Sequence, residues 1–360
     1  MSDPVLDRLR LIRTPGIGPV TYVQLIARFG TPAAALAALP DLALRGGGRP
    51  PVIADLRSAE RERAAVERLG GQYWFRDEGD YPALLAELDS APAVMVTRGD
   101  RGLVSRPVVA MVGARNASAA ACRFARQLAH GLGEAGVTVV SGLARGIDTA
   151  AHHGSIGTGT IGVIASGIDI AFPPENRELQ EQVASQGLLI AEQPPGTEPL
   201  ARFFPARNRI IAGLALGTVV VEAAPRSGSL ITARLAGEAG REVMAVPGSP
   251  IDPRAQGCNL LIREGATLVQ NAADVLEMIR PIDARSVRAP ASRFDAGPDA
   301  DPGEAERRAV TDLLGPVPVA VDELIRQSGV SPAMVAMVLL ELELAGRLER
   351  HAGGRVSANG

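Results

Sequence analysis

The 360-residue chain contains no lysine; all 37 of its basic side chains are arginine. A GxxxxGK[ST] phosphate loop is therefore impossible, which excludes a P-loop ATPase. Cysteine is nearly absent too. Cys122 and Cys258 stand far apart, too few for a disulfide framework or a four-thiolate zinc site, and the pattern fits a cytoplasmic protein. No run of 18 uncharged apolar residues occurs, which argues against a membrane span, and the opening MSDPVLDRLR lacks the apolar core of a signal peptide. The net charge of −3 speaks against indiscriminate polyanion coating, because proteins that do this are usually basic. Arginines and acids number 10 against 7 over residues 1–70, 18 against 21 over 71–280, and 9 against 12 over 281–360. A site for a polyanion must then be a local cluster and not a global field.

An apolar fraction of 46% is ample for a real core, and the length suits two or three domains. Residues 1–66 read as helical. Leu6, Leu9, Leu11 and Ile12 form an apolar stripe, followed by Pro15-Gly16-Ile17-Gly18-Pro19 and a second helix through Ala27. The Gly-Ile-Gly turn fits a helix-hairpin-helix whose amides bind phosphate, and equally a small helical protein-interaction module. Residues 71–280 alternate strand and helix. Strands are expected at Val108–Val112, Val137–Ser141, Thr160–Ala165, Leu188–Ala191, Thr218–Glu222, Glu242–Val246 and Thr267–Val269, with crossover helices making an open parallel sheet. The segment Tyr73–Thr97 adds edge strands or a lid. Residues 281–303, rich in Pro, Ala, Asp and Ser, read as a flexible linker. Residues 304–360 then give a winged helix: Val321–Gln327, a turn at Ser328–Ser331, Pro332–Ala345, and a wing from Leu348 to Val356 turning at Gly353-Gly354.

Ligands of a doubly wound sheet bind at the carboxyl ends of its strands. The loops there are Gly113–Ser118, Ser141–Asp148, Ser166–Asn176, and the stretch from Arg202 to Ala233. In the last, Arg202, Arg207 and Arg209 are expected just before a helix, and Arg226-Ser227-Gly228-Ser229 opens another. Helix N-termini beside guanidinium groups make an anion trap, with bidentate donors added by arginine. The bland reading of these glycines is tight strand-to-helix turns. Phe203 and Phe204 are candidates to stack bases, or are core. Gly157–Gly162 spells GxGxxG, but it precedes a strand where a dinucleotide fingerprint must follow one, and Ser141-Gly142 lacks the ribose-gripping acid. His152-His153 lacks a third ligand nearby, since adjacent helix residues point about 100° apart. Asp148 would orient Arg145 or cap its helix. Ser227 and Ser229 have no GxSxG elbow and read as phosphate-binding hydroxyls. No catalytic residue, metal site or cofactor is expected. The helix at Pro332–Ala345 holds two Glu and no cation, whereas a major-groove reader wants Arg, Lys, Asn or Gln. It reads as a protein contact or autoregulatory module.

The ordered set VVAMVGARNAS, VVSGLARGIDTAAH, FPPEN, FPARNRIIAGLALGTVVVEA, SGSLITARLAGEAGREVMAVPG and GCNLLIREGA resembles the DprA family (DNA-processing protein A, also called Smf) of natural transformation. The resemblance covers residues 71–280 and is specific. It implies an α/β fold: an extended Rossmann-like parallel sheet, with a small helical N-terminal domain (SAM-like or helix-hairpin-helix) and a C-terminal winged helix. It further implies a cytoplasmic single-stranded-DNA-binding protein, not an enzyme, that protects incoming strands and loads a RecA-type recombinase. Such a protein dimerises through the Rossmann-like domain, with single-strand-binding protein as a further partner. Carried over by position, the strand contacts are Gly113, Arg115, Ser141, Gly142, Arg145, Arg207, Asn208 and Arg209, with Ser227, Gly228 and Ser229 as helix-start donors. Arg202 or Arg177 stands in for lysines found in relatives. The rival reading is an enzyme resembling nucleotide-releasing phosphoribohydrolases. Those carry a PGGxGTxxE run, and the corresponding Arg226–Thr232 has no equivalent Glu.

Overall fold

A computed structural model describes residues 3–279, 301–351 and 353–359. The chain divides into two compact units, one from residues 3–63 with 301–359 and one from residues 64–279. The expected linker at 281–303 lies almost wholly outside the described residues.

The N-terminal helices are α1 (Pro4–Arg13), α2 (Pro19–Phe29), α3 (Pro32–Arg45) and α4 (Leu56–Arg68). Each of the first three begins with a proline at its first position, where the missing N–H would be unpaired in any case. Asp3 and Thr31 cap α1 and α3 with side-chain oxygens. Gly16, at φ +85°, makes the α1–α2 turn in a conformation that penalises any Cβ. Leu6, Leu9 and Leu11 are buried as the stripe predicts.

The second unit is built on a nine-stranded sheet. Its elements run β1 (Gln72–Phe75), α5 (Ala83–Ala86), β2 (Val94–Gly99), β3 (Val108–Gly113), α6 (Ala119–Glu134), β4 (Thr138–Ser141), α7 (Ile147–Ser155), β5 (Thr160–Gly167), α8 (Arg177–Gln186), β6 (Leu188–Gln193), α9 (Phe203–Leu214), β7 (Gly217–Val221), α10 (Gly228–Glu238), β8 (Glu242–Ala245), α11 (Gln256–Arg263), β9 (Thr267–Leu268) and α12 (Ala272–Ile279). The spatial order is β1-β2-β6-β5-β4-β3-β7-β8-β9. The strands from β6 to β9 pair in parallel, and β2 joins antiparallel to both β1 and β6, so Tyr73–Thr97 supplies edge strands. Central strands are apolar on both faces. Val109 and Met111 face one core, and Val108, Ala110 and Val112 face the other. Strand order reverses at β3, which lies between β4 and β7. This is the switch point where an open sheet leaves a crevice.

One expectation is corrected here. Arg207 and Arg209 do not precede a helix; they lie inside α9, which starts at Phe203 with Arg202 as its N-cap residue. Pro205 falls in the first turn, where a proline takes no hydrogen bond away, so it does not delay the helix.

The tail has α13 (Glu304–Thr311), β10 (Val319–Ala320), α14 (Val321–Ser328), α15 (Pro332–Leu344), β11 (Leu348–His351) and β12 (Arg355–Ala358). The three strands form a small sheet in the order β10-β12-β11. Gly329, at φ +66°, ends α14 and makes the helix-turn-helix. This is the winged helix expected from the sequence. Among the described residues no single helix is long and apolar enough to cross a membrane.

Candidate nucleic-acid interface

Each strand-end loop of the sheet is held by the protein's own polar groups, and this sorts the candidate residues. In the first loop, Gly113 is held so close to the Val221 carbonyl and Ile147 that a side chain could not fit. Ser118 caps α6 through its Oγ, which accepts from Ala121 N–H. The Ser118 N–H donates to Glu222 at 2.8 Å, and its hydroxyl donates to the same carboxylate at 2.6 Å. Glu222 reaches this position from the end of β7 at φ +49°. A carboxylate therefore already occupies the start of α6.

The second loop is organised around a buried charge pair. Asp148 accepts from the N–H groups of Gly142 (3.1 Å) and Ala144 (3.4 Å). Arg207, 6% exposed, donates through Nη1 to the carbonyls of Gly142 and Val163. Gly142 lies between the two charges; a Cβ there would meet both the guanidinium and Asp148. Burial lowers the Arg207 pKa to about 10, while the charge of Asp148 works the other way. Burial likewise raises the Asp148 pKa, opposed by Arg207. Ser141 is fully buried and its hydroxyl donates to Met111 O at 2.6 Å. Asp148 thus holds loop backbone and does not orient Arg145, which is exposed and paired with Glu175. Asn176, from FPPEN, donates to the carbonyl of Leu143 and to Thr149 Oγ1, both at 2.9 Å, and so ties the third loop to the second.

Ser141, Gly142 and Arg207 accordingly form the floor of the site, not its surface. Arg209 is also engaged, in a two-pronged pair with Glu192 at 2.9 and 2.6 Å and a bond to Ser90 O. The exposed side chains are Arg115, Arg145, Arg177, Arg202 and Arg226. The Arg115 guanidinium stands 5.5 Å from the Phe204 ring centroid, and Arg202 stands 4.9 Å from that of Phe203. Phe172, 44% exposed, meets Phe204 edge-on at 5.7 Å. Gly146, at φ +74°, lets the second loop pass against the carbonyls of Ala114 and Arg115, so Arg115 and Arg145 are on adjoining turns.

The start of α10 differs from that of α6. Ser227 caps it through a weak 3.4 Å bond from Ser229 N–H, and the two hydroxyls share a 2.7 Å hydrogen bond. Among the described residues no carboxylate bonds to this turn. It is flanked by exposed Arg226 and joined to α9 by Asn208 Nδ2, which donates to Gly228 O at 3.4 Å. A helix start with hydroxyls and a neighbouring cation suits a phosphate.

Phe172 and Glu222 were not among the candidates from sequence. Phe172 is signalled by its place before Pro173-Pro174 in a loop, and Glu222 by being the acid that ends an apolar strand. Cys258 is buried, which raises its thiol pKa to about 11. His152 is also buried, bonded through Nδ1 to Thr160 Oγ1 at 2.8 Å, and desolvation lowers its pKa to about 3. Among the described residues no cluster of three His, Cys, Asp or Glu could hold a metal.

Known proteins fit this architecture throughout. Residues 72–280 match the family model described as DNA recombination-mediator protein A, residues 3–65 a DprA-like N-terminal HHH domain, and residues 294–354 a DprA winged helix domain. The putative DNA processing protein DprA of Mycobacterium tuberculosis is 36% identical over 337 residues, 84% of each chain. The DNA processing protein DprA of Streptococcus pneumoniae is 46% identical over 198 residues, 54% of this chain and 70% of its own. An X-ray structure of the pneumococcal protein superposes with a TM-score of 0.67 at 35% identity, covering 77% of this chain and 98% of that one. DNA processing protein A of Helicobacter pylori, whose structure addresses its single-stranded-DNA binding mode, aligns with a TM-score of 0.52 at 26% identity, covering 57% and 94%. The first domain model alone spans more than half of the chain, and this chain belongs to the DprA family of DNA-processing proteins.

Proposed function

We propose that this protein holds single-stranded DNA along the strand-end rim of its sheet, protects incoming strands, and hands them to a RecA-type recombinase. The observation that carries the proposal is the group of exposed Arg115, Arg202 and Phe172 around half-buried Phe204, beside the hydroxyl-capped start of α10. Unpaired bases offer a face to the rings at any sequence, and arginine adds cation–π and phosphate contacts. Arg145, Arg226, Ser227, Gly228 and Ser229 extend the phosphate contacts, with Arg177 at the margin. Arg207, Asn208, Ser141, Gly142 and Gly113 act by shaping the loops, and Arg209 by fixing α9.

The rival nucleotide-hydrolysing reading is disfavoured because Arg226–Thr232, at the start of α10, has no Glu equivalent to that of the PGGxGTxxE run. Recombinase and single-strand-binding protein are proposed partners on the strength of the family alone. Self-association through the sheet unit is supported by exposed Leu260 and Leu268 near the β9 edge.

The test is binding to labelled single strands of increasing length and to duplex. Wild type is expected to bind single strands in a length-dependent manner and to prefer them to duplex. Arg115→Ala is expected to weaken binding about tenfold, about 1.4 kcal/mol, the order of one hydrogen bond to a charged group. Equal affinity for duplex, or base release from AMP abolished by Arg115→Ala, would overturn the reading.

A further inference from the structure

We propose that the winged helix uses its recognition-position helix, α15, as a protein-docking element, and that its partner is the N-terminal helical domain of this same chain. The inference is independent of the strand-binding reading.

Helix α15 is apolar on more than one face. Val335, Val338, Leu339 and Leu342 belong to the winged-helix core, with Val310, Leu324, Leu348 and Val356. Met337, Leu340, Glu341 and Leu344 lie outside that cluster, yet all four are buried. A helix apolar all round needs cover on every side. The second cover comes from the end of α3 and the Gly46-Gly47-Gly48 run after it. A Cβ on Gly46 would collide with the Glu341 carbonyl, and one on Gly48 would stand 2.5 Å from Ala345 Cα. Neither glycine has a left-handed φ, so the backbone approach itself, and not turn geometry, requires glycine at both.

The seam is closed by polar contacts of matching sense. Arg347 Nη1 donates to Gly46 O at 3.0 Å. Arg28 and Arg45 converge on Asp301 at 2.6 and 2.9 Å, and Arg350 reaches Gln24 at 3.4 Å. Glu341, 1% exposed, is neutralised by a two-pronged bond from Arg307 at 2.8 and 3.0 Å. The face of α15 formed by Met337, Leu340, Glu341 and Leu344 is therefore apolar, carries a buried acid and is covered.

The test cuts the folded full-length chain at a protease site engineered between residues 290 and 291, followed by size-exclusion chromatography at micromolar concentration. The tail fragment is expected to co-elute with the rest of the wild-type chain. Gly46→Val, which introduces the clash without backbone strain, is expected to weaken retention by at least about tenfold. Should that variant misfold, Asp301→Arg, at a half-exposed position, is expected to weaken it about threefold by repelling Arg28 and Arg45. Hydrogen exchange on the uncut variants should accelerate at Leu340–Leu344. Separation of the cut wild-type fragments, or undiminished retention in both variants, would overturn the proposal.

Discussion

Helix α15 and the strand-end rim both occupy positions from which related architectures touch nucleic acid, but their side chains are of opposite kinds. Along α15, Leu340, Glu341 and Leu344 are buried and the acid is tied to Arg307. Along the rim, Arg115, Arg202 and Phe172 face solvent. The same contrast recurs within the rim. Arg115 and Arg207 come from motifs of equal apparent promise, yet one is exposed and the other lies under the loops donating to main-chain carbonyls. A motif places a residue near a site; burial and existing partners decide whether it is free to act on a ligand.

The largest effect expected from this contrast is on stability. Arg207→Ala removes the charge facing buried Asp148 and two carbonyl contacts, and should cost about 3–5 kcal/mol, read as a lower midpoint in thermal or denaturant unfolding. If Arg207→Ala kept full stability and lost strand binding, Arg207 would be a direct contact and the contrast would fail.

Acid provides the next test. The folded His152 pKa of about 3 lies below the ordinary value of 6.5. The unfolded chain then takes up the proton first, and stability falls as pH drops from about 6.5 towards about 3, by up to about 1.4 kcal/mol per pH unit. His152→Gln should flatten this slope in unfolding measured between pH 4 and pH 7. An unchanged slope would place the acid-sensitive group elsewhere.

The smallest effect is expected from deleting residues 301–360. Every proposed strand contact lies in the sheet unit, so affinity for single strands should change by less than about twofold. The deletion should instead lower protection of α3 in hydrogen exchange, because it uncovers Gly46 and its neighbours. A large loss of affinity would give the winged helix a DNA contact of its own.

Much of this was legible in the chain. The runs VVAMV, TVVS and LLIAE announce buried parallel strands, since no polar face interrupts them, and so mark the loops after them as strand ends. The helix α9 begins ahead of Arg207 and Arg209, at Phe203, because Pro205 is tolerated in its first turn. The burial of Arg207 was not legible, because it depends on Gly142 and Val163, distant in sequence. Nor was the partner of α15, whose Glu341 meets a glycine turn nearly 300 residues away. The sequence AMVAMVLLELEL did signal that the helix needs covering on several sides, and so pointed to a protein contact without naming it.

The central claim is that exposed rim arginines, and not the buried ones, hold the strand. It is tested most directly by the salt dependence of single-stranded-DNA affinity in wild type and Arg115→Ala. With about four to six phosphates neutralised, log affinity should fall against log salt with a slope of roughly −3 to −4 in wild type. Loss of Arg115 should make that slope shallower by about 0.7, the share of one phosphate on a single strand. A flat response in wild type, or an unchanged slope in Arg115→Ala, would contradict the account.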